Sequence, residues 1–142
     1  MRDVIIIGDG PAAYTAAIYC ARAGLNTLIN YNTISSWFVF RNDLVHEWPG
    51  RIEPIKIKDL LNEMEEQAIN MGAEVRVGPN KLRARCTIYT PEKILGSDKL
   101  FSLEDKIYTE KKVSVISAAE GCIAAIKCAQ YLEKITHPSK EL

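Results

Sequence analysis

Residues 8–13 of this chain, Gly8-Asp9-Gly10-Pro11-Ala12-Ala13, have the types and spacing of a turn that holds phosphate. Gly8 permits a tight turn, and Gly10, with no Cβ, lets a pyrophosphate come up against the backbone. Ala13 stands where a third glycine often stands and is small enough for a helix to pack closely on a strand. Pro11 suits the first position of a helix, because its ring presets φ and it has no N–H to leave unpaired. The first N–H groups of that helix, with the positive end of its dipole, would face the phosphates. Asp9 and Ala12 complete the loop. Farther on, Asn30-Tyr31-Asn32 falls where an acidic residue commonly holds the ribose hydroxyls of a dinucleotide. Asn30 can still hydrogen-bond a ribose, but without the help of a charge.

The other residues with reactive or metal-binding side chains are dispersed. Four cysteines, Cys20, Cys86, Cys122 and Cys128, form no Cys-x-x-Cys pair, and His46 and His137 are the only histidines. Structural zinc sites place their ligands in close pairs, so the spacing argues against one. The cysteines read as small buried hydrophobes, kept reduced in a cytosolic chain. On one helix, Cys122 and Cys128 would lie on different faces and could not join.

The phosphate turn needs a strand before it and a helix after it, and the sequence supplies both. Val4-Ile5-Ile6-Ile7 has no polar alternation, as expected of a parallel strand covered on both faces. The spacing predicts a helix over 11–23 ended by Gly24, then a second strand over 26–31. Ile57, Leu60, Leu61, Met64, Ala68 and Met71 recur at helical spacing up to Gly72, which predicts an amphipathic helix over 57–71. A third strand is expected over 73–77. Between Lys81 and Lys112, short β-prone stretches (83–90, 99–103, 106–109) suggest a small antiparallel excursion, with Lys81, Arg83 and Arg85 on a solvated face. Ser117 and Glu120 have capping-box spacing, so the last helix is expected over 117–134. Gly121 inside it suggests either close approach by another backbone or a ligand, or simply a tolerated glycine. The fold class implied is α/β: a Rossmann-like, three-layer domain of the FAD/NAD(P)-binding type, with helices 11–23 and 117–134 on a parallel sheet.

Composition narrows the possible partners. Of 142 residues, 18 are Lys or Arg and 18 are Asp or Glu, so the net charge is zero. That removes the electrostatic basis for non-specific binding to nucleic acid or an anionic membrane. No run of about 20 apolar residues stands out as a membrane span, and the opening residues do not read as a signal peptide. One cytoplasmic domain is expected.

Residues 3–24 closely resemble the opening of the low-molecular-weight thioredoxin reductases. Trp48-Pro49-Gly50, with 60–75 including Gln67-Ala68 and Met71-Gly72-Ala73-Glu74-Val75, resembles the next part of that family's FAD domain. Residues 117–126, Ser-Ala-Ala-Glu-Gly-Cys-Ile-Ala-Ala-Ile, with Tyr131-Leu132, look like its last helix. The resemblance implies one FAD-binding-type domain over 1–142, with 1–80 and 113–134 matching the family and 81–112 replacing its inserted NADPH domain. It implies FAD, at least its ADP half, as cofactor. The cofactor contacts would be Gly8, Asp9, Gly10, Pro11, Ala12, Ala13, Asn30 and Tyr31, with Val113 and Ser114 at the lead-in to the last helix, whose start approaches the flavin. It also implies a homodimer and an external redox partner protein. The family's Cys-x-x-Cys is missing, and its flavin-lining stretch falls on Ser36-Trp37-Phe38-Val39-Phe40. Its Asn before the aromatic-Pro-Gly falls on Glu47. Conventional NADPH-disulfide reduction is therefore not expected. Two readings follow: a flavoprotein exchanging electrons with an outside donor, or a non-catalytic nucleotide-binding or dimerising module.

Overall fold

The computed structural model describes residues 1–31, 41–78, 82–90, 106–108 and 114–138. In chain order the elements are β1 (Arg2–Ile7), α1 (Pro11–Arg22), β2 (Thr27–Tyr31), β3 (Leu44–Val45), β4 (Ile55–Lys56), α2 (Ile57–Asn70), β5 (Glu74–Val77), β6 (Ala84–Tyr89), β7 (Lys106–Tyr108) and α3 (Ser114–Thr136). Five strands form one sheet in the order β5-β2-β1-β6-β7, and every pairing in it is parallel. The chain builds outward from β1 through β2 to β5, then returns to place β6 on the other side of β1. Strand order therefore reverses at β1, and in open α/β sheets ligands bind beyond the strand C-termini at such a reversal.

The register explains the core. Ile107, Ile88, Ile6, Ile29 and Val75 occupy one row across the five strands. In that row Ile6, Ile29 and Ile88 are fully buried and belong to the same core as Val4 and Cys86. That face meets Ala13, Ala16, Ala17 and Cys20 of α1, Leu60, Met64 and Ala68 of α2, and Ala124, Ala125, Cys128 and Leu132 of α3. Each large aliphatic side chain withdrawn from water there contributes about 1.5–3 kcal/mol before chain entropy is counted. Ile5 and Leu28, neighbours on the opposite face, are buried as well. The unalternating apolar run of β1 serves both faces, as its sequence implies.

Two details differ from the sequence reading. The antiparallel pairing lies between β3 and β4, whereas β6 and β7 extend the main sheet in parallel. Strand propensity does not encode direction; in the parallel pairing Cys86 lies beside Val4 and Ile88 beside Ile6. Stretch 99–103 and Lys81 lie outside the described residues. The last helix also starts earlier than the capping-box spacing suggests. It begins at Ser114, which leaves Ser117 buried in its first turns and not at a cap.

By length and composition α3 could cross a membrane. Its inner face is part of the core described above, whereas Val115, Ile116, Ile123, Ile126 and Ile135 remain exposed. Both α1 and α2 end on a glycine in the left-handed region: φ is +81° at Gly24 and +111° at Gly72. The Gly24 N–H donates to the Ala21 carbonyl and the Leu25 N–H to that of Cys20, which closes the end of α1.

Candidate dinucleotide site

The C-terminal ends of β1, β2, β5 and β6 meet around Gly8, Asn30, Gly78 and Thr90. Thr90 donates from both its N–H (2.9 Å) and its Oγ1 (2.8 Å) to the carbonyl of Ile7. Its side chain fills the space where a Cβ on residue 8 would stand, and Gly8 has φ +137°. Gly8 is thus required twice, for backbone conformation and for room. The chain then passes extended through Gly10 (φ −98°, ψ −172°) into α1 with Pro11 at its start. No side chain caps that helix, and its first described main-chain turn closes with the Tyr14 N–H on the Gly10 carbonyl, at 3.1 Å. Ala12 and Ala13 therefore present their N–H groups at the positive helix end. This uncapped start on a glycine turn fits a pyrophosphate, and Gly8 to Ala13 would hold it.

The start of α1 is braced from behind. A Cβ on Gly121 of α3 would strike the Ala12 carbonyl, with the Ala12 Cα and carbonyl carbon at 2.9 Å. The backbone approach suggested by that glycine is real, and its target is the phosphate turn. Ser114 begins α3, while Val113 lies outside the described residues.

At β2, both Asn30 side-chain donor bonds go to the main chain: Nδ2 donates to the carbonyls of Arg76 (3.1 Å) and Gly78 (3.2 Å). The amide thereby ties the ends of β2 and β5 together, leaving Oδ1 as the atom able to accept from a ribose hydroxyl. Beside it is a polar group that single-residue spacing does not reveal. Tyr14 donates to Glu65 Oε2 at 3.0 Å, joining α1 to α2. Burial, then the Glu65 charge and hydrogen bond, push the Tyr14 phenol far above its ordinary range, with smaller contributions from Tyr31 and Asp9. Burial first, then Glu65 and Asp9, also raise Tyr31. Asp9 is buried; its Oδ1 accepts no hydrogen bond among the described residues, though its carboxylate acts on both tyrosines. Two carboxylates, Asp9 and Glu65, thus lie near both tyrosines.

A groove of about 470 Å³, lined by none of the phosphate-turn residues, is bounded by Thr15, Tyr19 and Arg22 of α1, Trp48 and Arg51, and Glu63 of α2. Arg51 pairs with Glu63 at 3.2 Å. Trp37, Phe38 and Phe40 lie outside the described residues. Among the described residues no group of three or more His, Cys, Asp or Glu could hold a metal ion.

No protein-family model matches the chain. It is 43% identical over 77 residues to a thioredoxin reductase of Mycolicibacterium smegmatis, covering 54% of this chain and 25% of that protein. It is 36% identical over 117 residues to a thioredoxin reductase of Aquifex aeolicus, covering 82% of this chain and 34% of the relative. The atypical thioredoxin reductase TRi from Desulfovibrio vulgaris Hildenborough superposes with a TM-score of 0.55 at 27% identity, over 63% of this chain and 36% of that one. The chain thus spans about a quarter to a third of the length of the curated relatives it matches. By sequence and by fold, the chain resembles part of the thioredoxin reductases, over about a quarter to a third of their length.

Proposed function

We propose that the chain binds a dinucleotide, FAD, through its ADP half, and works as a flavoprotein unit exchanging electrons with an external donor and a redox partner protein. The observation that carries this reading is the uncapped start of α1 behind Gly8 and Gly10, at the point where strand order reverses. Gly8, Asp9, Gly10, Pro11, Ala12 and Ala13 surround the pyrophosphate, Asn30 and Tyr31 lie toward the ribose, and Val113 and Ser114 belong to the flavin side. The flavin, when bound, supplies the electron chemistry; the chain positions it and excludes water. NADPH-driven disulfide reduction is not part of the activity. The unit works in the cytoplasm as a homodimer.

A second reading is favoured by the carboxylates of Asp9 and Glu65, which oppose an anionic cofactor. In that reading the fold is a nucleotide-binding or dimerising module without redox turnover. One experiment separates the two. The purified chain is incubated with FAD, desalted, and examined by visible absorption. Retained flavin bands that are bleached by a chemical reductant support the first reading. A colourless protein that still binds ADP in calorimetry supports the second. Sedimentation of the same sample tests the dimer, since a mass near 15.9 kDa at micromolar concentration would contradict it.

A further inference from the structure

Cysteines far apart in the sequence meet in the core. Cys20 of α1, Cys86 of β6 and Cys128 of α3 are each at most 1% exposed, while Cys122 is half-buried. The thiols of Cys20 and Cys86 lie close enough to that of Cys128 to act on it. The helix pair explains the first contact. At Gly121 and Ala12 the two backbones touch, and the facing residues beyond are small: Ala13, Ala16 and Ala17 on α1, Ala124 and Ala125 on α3. Cys20 lies eight residues beyond Ala12, and Cys128 seven beyond Gly121. Both steps are about two helical turns, so each cysteine returns to the face that carries the contact. A seam of Gly and Ala brings helices closer than the usual 8–10 Å between axes. A close approach of that kind favours the Cα separation of roughly 4.4–6.8 Å which a disulfide needs.

We propose that Cys20 and Cys128 form an oxidation site, whose disulfide locks α1 to α3 beneath the nucleotide-binding turn. The co-reactant is a small disulfide, RSSR. Cys128 loses its proton, and its thiolate attacks one sulfur of RSSR, expelling RS⁻ and forming a mixed disulfide. The Cys20 thiolate then attacks the Cys128 Sγ and expels the second RS⁻. The protein gives up two protons and two electrons, and RSSR leaves as two RSH. The contact with Cys20, then burial, hold the Cys128 thiol well above its ordinary range. The thiolate is the reactive form, so oxidation is slow and proceeds through local opening of the seam. The pair lies about nine residues, roughly 13 Å, along α1 from Pro11, and so is separate from the phosphate turn.

The test uses the full chain, reduced, desalted, and held under native conditions for a day with excess oxidised glutathione. Intact mass and peptide mapping without reduction are then read. The expected result is a loss of about 2 Da and a peptide pair joined through Cys20 and Cys128, with Tm raised by several degrees. Cys122→Ser should leave that linkage unchanged, and Cys20→Ala should abolish it. Glutathione attached only at Cys122, dimers linked through Cys122, or a Cys86–Cys128 linkage would each overturn the proposal. The wild-type map decides the matter even if Cys20→Ala does not fold.

Discussion

At the scale of single residues, glycines of one type serve unlike ends, and substitution separates them. Gly24 has φ +81° and nothing within 4 Å of where a Cβ would stand. Gly24→Ala therefore meets only backbone strain and should lower stability by about 1 kcal/mol in urea unfolding. Gly121 is helical, and its missing Cβ is the room taken by the Ala12 carbonyl. Gly121→Ala should cost about 2–3 kcal/mol or more, because backbone cannot yield as a flexible side chain can. Tyr14 makes a different prediction. Its folded phenol titrates far above the unfolded value of about 10, so its contribution is complete below pH 10 and declines as pH rises past it. Tyr14→Phe should cost about 1–2 kcal/mol at neutral pH, as expected of a bond to a charged acceptor. It should also flatten the alkaline fall in chemical stability above pH 10; an unchanged alkaline slope would contradict this assignment. Glu74, held by Arg2 and Arg76, titrates the opposite way. Hydrogen bonds from those arginines lower its pKa, so its contribution is present above the ordinary carboxylate range and fades in acid.

At the scale of elements, what was legible in the sequence is what local pattern determines. The β1–turn–α1–β2 unit reads directly from Val4 to Tyr31, because unalternating β-branched residues, a glycine turn, Pro11 and Gly24 each act within a few positions. Helix α2 is equally plain from its apolar spacing and Gly72. The features that escaped depend on distant partners. The parallel direction of β6 shows only in its pairing with β1, where Cys86 and Ile88 lie beside Val4 and Ile6. The early start of α3 at Ser114 runs past a capping-box spacing at Ser117, with no local signal in the sequence to mark it. The thiol cluster joins α1, β6 and α3, and no short-range spacing announces it. The Tyr14–Glu65 bond is likewise a contact between helices 51 positions apart in sequence. The sheet register gives a sharp contrast between centre and edge. Ile88→Ala, in the buried row, should cost about 2–5 kcal/mol. Val77→Ala at the end of β5, where the side chain is 65% exposed, should stay within about 0.5 kcal/mol. Equal costs at the two positions, measured by denaturant midpoint, would count against the row as the centre of the core.

At the scale of the whole molecule, α1 connects the features described above. Its first residues form the phosphate turn, Tyr14 ties it to α2, Ala12 rests on α3, and Cys20 lies in the core at its far end. A ligand that grips the start of α1 therefore stabilises a helix on which most of the helical layer leans. Binding to the folded chain alone adds RT ln(1 + [L]/Kd), about 2.7 kcal/mol when the ligand is at a hundred times its Kd. For a chain of this size that corresponds to a rise in Tm of roughly 8–13 °C. We expect such a rise with FAD, and with ADP once its concentration is scaled to its own weaker Kd. Gly10→Val should abolish both shifts, since a branched side chain would occupy the space left for the pyrophosphate. It should leave the Tm of the unliganded chain within a few degrees of the parent, because Gly10 has an ordinary negative φ that valine can adopt. The pair of measurements is needed. If Gly10→Val lowers the unliganded Tm steeply, lost binding reflects lost fold; if it still gives the full shift with ADP, the nucleotide lies elsewhere than over the start of α1.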